Sequence, residues 1–376
     1  MHRSSLLPLL LASALSLSAA SAPDIKFSGD VQYKLRYHYT KLSDVDGDDS
    51  TSSGDFSNRI GWSFKVGVTV AEQLAFGLRF SNPTGSSADN IPDNTIWVSD
   101  THFNKVAIPE ASLKLSRERF YLAAGFLPIP YAGRQGPALL DLVAYETKAW
   151  VDVGTAPWST NTNNSLAGLN AGYQFVDNDD FSAGIDVLAG PATDMKAGKP
   201  ADALKLDRLQ FFVSVPVDLM KGKLSILPSM HTRTNVYRST DLDKANHSIS
   251  GALDLKLAII DAAVFTLGSA VGGYSNSCQE DEAAAQTAPL GFLLNAGTAV
   301  KPGFGSVKLD FSYGFSTDRQ ADPAVMRNTL FWDLTYTMPV FKASIAPRVR
   351  LWYGTNSGNE RSKLQARPEL TLRAGF

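Results

Sequence analysis

Basic residues recur at two-residue spacing in this chain: Lys34 and Arg36, Arg348 and Arg350, and then Lys363, Arg367 and Arg373 in its last stretch. Residues i and i+2 share one face of a β-strand, so this spacing collects ammonium and guanidinium groups on a single surface. Taken strand by strand, that surface receives Lys26, Lys34, Arg36, Arg59, Lys65, Arg79, Lys114, Arg208, Arg233, Lys256, Lys308, Arg327, Arg348, Arg350, Lys363, Arg367 and Arg373. The acids of the same parity are fewer: Asp30, Glu110, Asp186, Asp254, Asp310, Asp333 and Glu369. A wet wall with such an excess of bases attracts anions, and like-charged side chains around a constriction set selectivity through the local field. Arg36, Arg59, Arg348, Arg350 and Arg367 form a ladder if the two ends of the chain lie side by side. The same residues also allow a generic wet interior whose charges pair off without any solute preference.

Other chemistries are weakly represented. The stretch Asp44-Val45-Asp46-Gly47-Asp48-Asp49-Ser50, closed by Asp55, places Asp44, Asp46, Asp48 and Asp55 at positions one, three, five and twelve of a calcium-type loop. Asp49 occupies the position where such a loop needs glycine, and no helical pattern flanks it, so a solvated acidic tip is the expectation and no metal is assigned. The sequence contains no phosphate-binding G-x-x-x-x-G-K-[ST] run, no H-E-x-x-H and no Cys/His cluster. His38 and His231 share the basic face, while Asn246-His247-Ser248 does not supply a nucleophile, base and carboxylate by adjacency. The one cysteine, Cys278, has no partner for an intramolecular disulfide and no neighbour that would activate it. No enzyme activity and no cofactor are expected.

The elements that position these residues are strands. From Ser362 to Phe376, Leu364, Ala366, Pro368, Leu370, Leu372, Ala374 and Phe376 alternate with Lys363, Gln365, Arg367, Glu369, Thr371, Arg373 and Gly375. Asp24 to Thr40 and Phe56 to Val70 alternate in the same way, separated by a polar loop from Lys41 to Asp55. About sixteen such segments follow one another, joined by a tight turn at every second connection and by a longer polar loop at the others. The longest interruption, Pro128 to Asn164, carries Pro128, Pro130, Gly133, Gly136 and Pro137, which exclude a central strand from its first half. Trp62, Trp332, Trp352, Tyr33, Tyr37, Tyr39, Tyr313, Tyr336, Tyr353 and Phe376 are expected on the apolar faces as interfacial girdles.

Composition narrows the class. Acids and bases nearly balance at a net charge of −2, which gives no argument for nucleic acid as a partner. Arg3, the apolar run Leu6 to Leu17 and the small residues Ser18 to Ala22 read as a secretory signal peptide over 1–22, cleaved after Ala20 or Ala22. Beyond it no apolar run reaches the roughly 18 residues of a spanning helix. No linker divides 23–376, so one domain is expected. Strands with one oily and one wet face then mean lipid outside and water inside, the pattern of a transmembrane barrel.

In this layout of signal, sixteen alternating strands, long third loop and terminal Phe376, the chain resembles the general-diffusion porins of Gram-negative outer membranes. The resemblance implies an all-β, antiparallel up-and-down barrel with the third loop, 128–164, folded into the lumen. Arg134, Asp141, Glu146, Lys148 and Asp152 of that loop would face the pore wall formed by Lys34, Arg36, Arg59, Arg79, Arg233, Arg348, Arg350 and Arg367. It also implies a homotrimer in contact with outer-membrane lipid and lipopolysaccharide, latched by the second loop, with Phe376 read by the barrel assembly machinery. The implied activity is passive diffusion of ions and small hydrophilic solutes, with mild anion preference. The alternatives are a channel selective for phosphate, sugar or carboxylate, and an outer-membrane lipid hydrolase.

Overall fold

The alternating stretches form β-strands in the computed structural model, which describes residues 23–44, 50–71, 73–81, 107–128, 165–191, 209–234, 248–260, 262–274, 289–318, 325–357 and 361–376. The first five strands are β1 (Asp24–Asp44), β2 (Ser50–Ala71), β3 (Leu74–Ser81), β4 (Ala107–Arg117) and β5 (Phe120–Pro128). Next come β6 (Ser165–Asp177), β7 (Phe181–Pro191), β8 (Leu209–Ser214), β9 (Val217–Leu219), β10 (Leu224–Arg233) and β11 (Ser248–Ile260). The last six are β12 (Ala263–Tyr274), β13 (Pro289–Val300), β14 (Ser306–Asp318), β15 (Val325–Val340), β16 (Ala343–Asn356) and β17 (Arg361–Gly375).

β8 and β9 are two halves of one stave, since both pair with β7 on one side and β10 on the other. The break falls at Val215-Pro216, where proline has no N–H to give to the ladder. Sixteen staves result, every pairing antiparallel and each stave bonded to the next in chain order, as the sequence leads one to expect. β1 bonds to both β2 and β17, so the sheet closes on itself and leaves no edge. The signal segment 1–22 and all but the first residue of the 128–164 loop lie outside the described residues.

Tight turns join the staves at one end. Glu118 and Phe341 each open a two-residue turn with φ of 50° and 54°, and Met220 and Lys221 (54° and 58°) precede Gly222 in another. A left-handed conformation costs a non-glycine residue about 1–2 kcal/mol. The closed ladder on either side of these turns sustains that cost. At the turn after β6, the Asn178 side-chain oxygen accepts from the backbone N–H of Asp180 (3.1 Å) and Phe181 (2.9 Å).

The expected polar loop from Lys41 to Asp55 needs correction. β1 runs on to Asp44 and β2 begins at Ser50, with Ser43 opposite Ser50 and Tyr39 opposite Gly54. Polarity misled the sequence reading here, because a strand that has left the hydrocarbon meets water on both faces and needs no apolar residues. The change also removes the calcium-type loop. Asp55 is a strand residue opposite His38, six positions down β1 from Asp44, or about 20 Å of strand. Asp46 and Asp48 lie outside the described residues.

Burial runs inside out. Phe27 (63 % exposed), Leu169 (57 %) and Phe265 (45 %) stand on the outer face, whereas Asn295 (1 %), Asp333 (4 %) and Glu369 (5 %) are enclosed. Apolar surface left in water is unfavourable by roughly 25 cal/mol per Å², so an apolar belt around a closed barrel fits acyl chains.

The seam of the barrel is closed by the last residue. Phe376 and Gly29 exchange two backbone hydrogen bonds of 3.0 Å. The Phe376 ring lies over Gly29, where any Cβ would overlap it, and reaches Phe64 at 6.4 Å between centroids. Phe64 in turn neighbours Phe27 (6.0 Å) and Phe80 (6.5 Å). Gly29→Val is therefore expected to displace the ring and cost about 1–3 kcal/mol through overpacking. The check is the melting temperature of the folded barrel in detergent, which falls for Gly29→Val; an unchanged value would show that the contact does not secure the seam.

Candidate pore-wall site

The bases of the closing staves come together in register. On the lumen face, Arg36 of β1 stands opposite Glu369 of β17, which stands opposite Arg348 of β16. One step along, Asp333 of β15, Arg350 of β16 and Arg367 of β17 form a second row. Lys34 is opposite Thr371 on one side and the backbone of Arg59 on the other. These placements follow from closure: residues more than 300 positions apart meet only because β1 and β17 are neighbours.

Two carboxylates organise the group. Glu369 Oε2 accepts from Arg36 Nε at 2.5 Å and from Arg350 Nη2 at 2.8 Å, while Thr371 Oγ1 donates to Oε1 at 3.1 Å. Asp333 accepts two bonds from Arg348 Nε at 2.7 and 2.9 Å and a third from its Nη2, with Thr335 Oγ1 adding one at 3.2 Å. Charge-assisted, forked bonds of this kind fix guanidinium planes. Arg36 (7 % exposed) and Arg350 (5 %) are thereby held in the wall, while Arg348, Arg367 and Lys34 are partly exposed.

Other predicted wall residues are elsewhere. Arg79 of β3 faces Lys65 and Glu110 in the register, and Lys65 Nζ pairs with Glu110 at 3.1 Å. The backbone of Arg233 is on β10, on the far side of the barrel from β17. Arg134, Asp141, Glu146, Lys148 and Asp152 lie outside the described residues, as does Cys278. Of the remaining inward pairs, Asp30 takes Arg373 at 3.3 Å and Ser63 at 2.6 Å, and Asp310 takes Lys308 at 2.8 Å.

Trp352 corrects the sequence reading. It was expected among the outward aromatics, but it shares parity with Arg348 and Arg350 and is enclosed on the inner face at 1 % exposure. Its ring packs against Phe331, its register partner, at 5.1 Å. The guanidinium carbons of Arg350 and Arg367 sit 5.4 and 5.2 Å from the ring centroid. Aromatic type suggested lipid; two-residue periodicity, followed strictly, gives the lumen.

The wall opposite is different. Eight staves from β17 is the β8/β9 stave, and this side presents Leu188, Phe212 and His231 in one row, the last two stacked at 4.0 Å. Acids stand among them: Asp186, whose carboxylate accepts from Tyr121 Oη, Asp218, which accepts from Ser225, and Asp254. Asp218, Leu188, Phe212, Leu227 and Phe331 escaped the sequence reading. Each shares parity with an inward polar neighbour, such as Leu227 with Ser225 and Ser229, and that was the available signal. A base-rich arc thus faces a wall of mixed character, where acids and apolar side chains stand beside His231 and, of the same parity as Asp254, Lys256.

Solved structures share this architecture. The outer membrane channel DcaP of Acinetobacter baumannii aligns with a TM-score of 0.58 at 13% identity, covering 94% of this chain and 98% of that one. An anion-selective porin from Comamonas acidovorans aligns at 0.53 and 11% identity, over 94% and 100%. The trimer form of OmpT, an outer membrane protein of Vibrio cholerae, aligns at 0.55 and 10% identity, over 95% and 100%. At such identities the likeness is one of fold, and the fold is the porin barrel. No protein-family model and no curated protein matches the sequence.

Glu369 is the most consequential single residue of the group. Its carboxylate is 1 % exposed and is shared by two guanidinium groups that are themselves enclosed. Removing one partner of a buried ion pair costs about 3–5 kcal/mol, because the other charge is left uncompensated. Glu369→Gln is expected to lower the denaturation midpoint accordingly, read by loss of β-sheet circular dichroism in urea. A midpoint equal to that of the parent protein would mean that the two arginines are held by something else.

Proposed function

We propose that a closed porin-fold barrel of this kind forms a water-filled channel in the bacterial outer membrane, carrying ions and small hydrophilic solutes by passive diffusion with a mild preference for anions. The observation that carries the reading is the partition of side chains, with an apolar outer belt around an inner face lined by Arg36, Arg348, Arg350, Arg367 and Lys34. Charged groups on the lipid side would cost about 2–4 kcal/mol each at the midplane, whereas in a wet lumen they create a field that draws anions. Outer-membrane placement fits the apolar belt and the structural neighbours, and 1–22 acts as the export signal, cut after Ala20 or Ala22. Phe376, at the seam, serves as the recognition end for the assembly machinery.

The loop 128–164 narrows the lumen, with Arg134, Asp141, Glu146, Lys148 and Asp152 facing the wall formed by Lys34, Arg36, Arg59, Arg348, Arg350 and Arg367. The chain assembles as a homotrimer within outer-membrane lipid and lipopolysaccharide; the trimeric form of OmpT, on the same fold, supports that state. The anion preference is in keeping with the neighbour described as an anion-selective porin.

The test is electrical. Purified protein added to a planar bilayer under a potassium chloride gradient is expected to give stepwise conductance with a reversal potential on the chloride side. Absence of steps would overturn the channel, and a potential on the potassium side would overturn the anion preference. Saturation of the conductance by a single solute would replace general diffusion with a substrate-selective channel.

A further inference from the structure

Arg350 and Arg367 are direct register partners on adjacent staves. Like charges placed directly opposite each other repel, so something must hold this pair together. Glu369 answers for Arg350, through the 2.8 Å bond to Nη2. Both arginines also lie against the ring of Trp352, with guanidinium carbons at 5.4 and 5.2 Å from its centroid.

We infer that Trp352 is a positioning residue that sets ion specificity: its π face holds Arg350 and Arg367 side by side without bringing a negative charge of its own. A carboxylate in the same place would also hold the pair, but it would subtract one positive charge from the wall. An aromatic quadrupole attracts both cations and adds no negative charge to the wall. The ring is itself fixed, being 1 % exposed and backed by Phe331 at 5.1 Å. Its indole Nε1 has no hydrogen-bond partner among the described residues, so the face of the ring is what this position uses. The ligand class served is small inorganic anions in transit, and in that respect the inference rests on the channel reading.

Three variants of the full chain separate the roles. Trp352→Leu removes the π face, Trp352→Phe keeps it without the N–H, and Trp352→Glu keeps a brace while cancelling one charge. Phenylglyoxal modification of Arg367, followed by mass spectrometry on folded protein in detergent, reads the brace without any need for conduction. The rate is expected to rise about five-fold in Trp352→Leu, as expected for loss of a cation–π contact, and to stay near that of the parent protein in the Phe and Glu variants. In bilayers, the reversal potential is expected to move toward potassium in the Leu and Glu variants and to hold in the Phe variant. If Trp352→Leu does not fold, the contrast between Phe and Glu decides: equal reversal potentials overturn the inference. Unchanged Arg367 reactivity in a folded Leu variant overturns it as well. A parent protein that does not conduct would sink the channel reading, and the labelling rates would still decide the brace.

Discussion

Backbone hydrogen bonding is the constraint on which this structure depends. A strand in hydrocarbon has no water to satisfy its N–H and C=O groups, and a sheet with a free edge leaves a row of them unpaired. Closure of β17 onto β1 removes that edge, and the reciprocal bonds between Phe376 and Gly29 complete the seam at its end. Once the ring of staves is closed, each strand has one face turned outward and one inward. Two-residue alternation then sorts the whole sequence into a lipid side and a lumen side.

Closure also creates the base-rich arc. Arg36 approaches Glu369, and through it Arg350, only across the β1–β17 seam. A wall containing that many cations would repel itself, and three different devices hold it: a carboxylate shared by two arginines at Glu369, a forked pair at Asp333 and Arg348, and the ring of Trp352. The first two neutralise part of the charge they organise. The third organises its arginines without adding a negative charge. Across the barrel, Asp186, Asp218 and Asp254 sit among Leu188, Phe212 and Leu227, with Lys256 of the same parity as Asp254.

Much of this was legible in the sequence, because the fold writes its geometry as a period of two. The order of staves, the tight turns at alternate connections and the inward parity of Lys34, Arg36, Arg348, Arg350 and Arg367 all follow from that period. Reading failed where residue type was allowed to overrule position. Trp352, Phe331, Phe212 and Leu188 look as if they belong in lipid, and only their spacing from Arg350, Asp333, Ser214 and Asp186 says otherwise. Ser50 to Asp55 look like loop, yet they pair with Tyr39 and its neighbours, since strands above the membrane carry no apolar signature. Which bases share carboxylates was not legible at all, because register between the two ends of the chain is a property of closure.

The partition of side chains is the claim most directly open to measurement. With Cys278 replaced by serine, single cysteines along β17 in protein reconstituted into liposomes can be exposed to a water-soluble thiol reagent. Lys363→Cys, Gln365→Cys and Thr371→Cys are expected to label, while Leu370→Cys and Leu372→Cys, buried in acyl chains, are not. Uniform labelling along the strand, or labelling of the leucine positions alone, would contradict a barrel with lipid outside and water within.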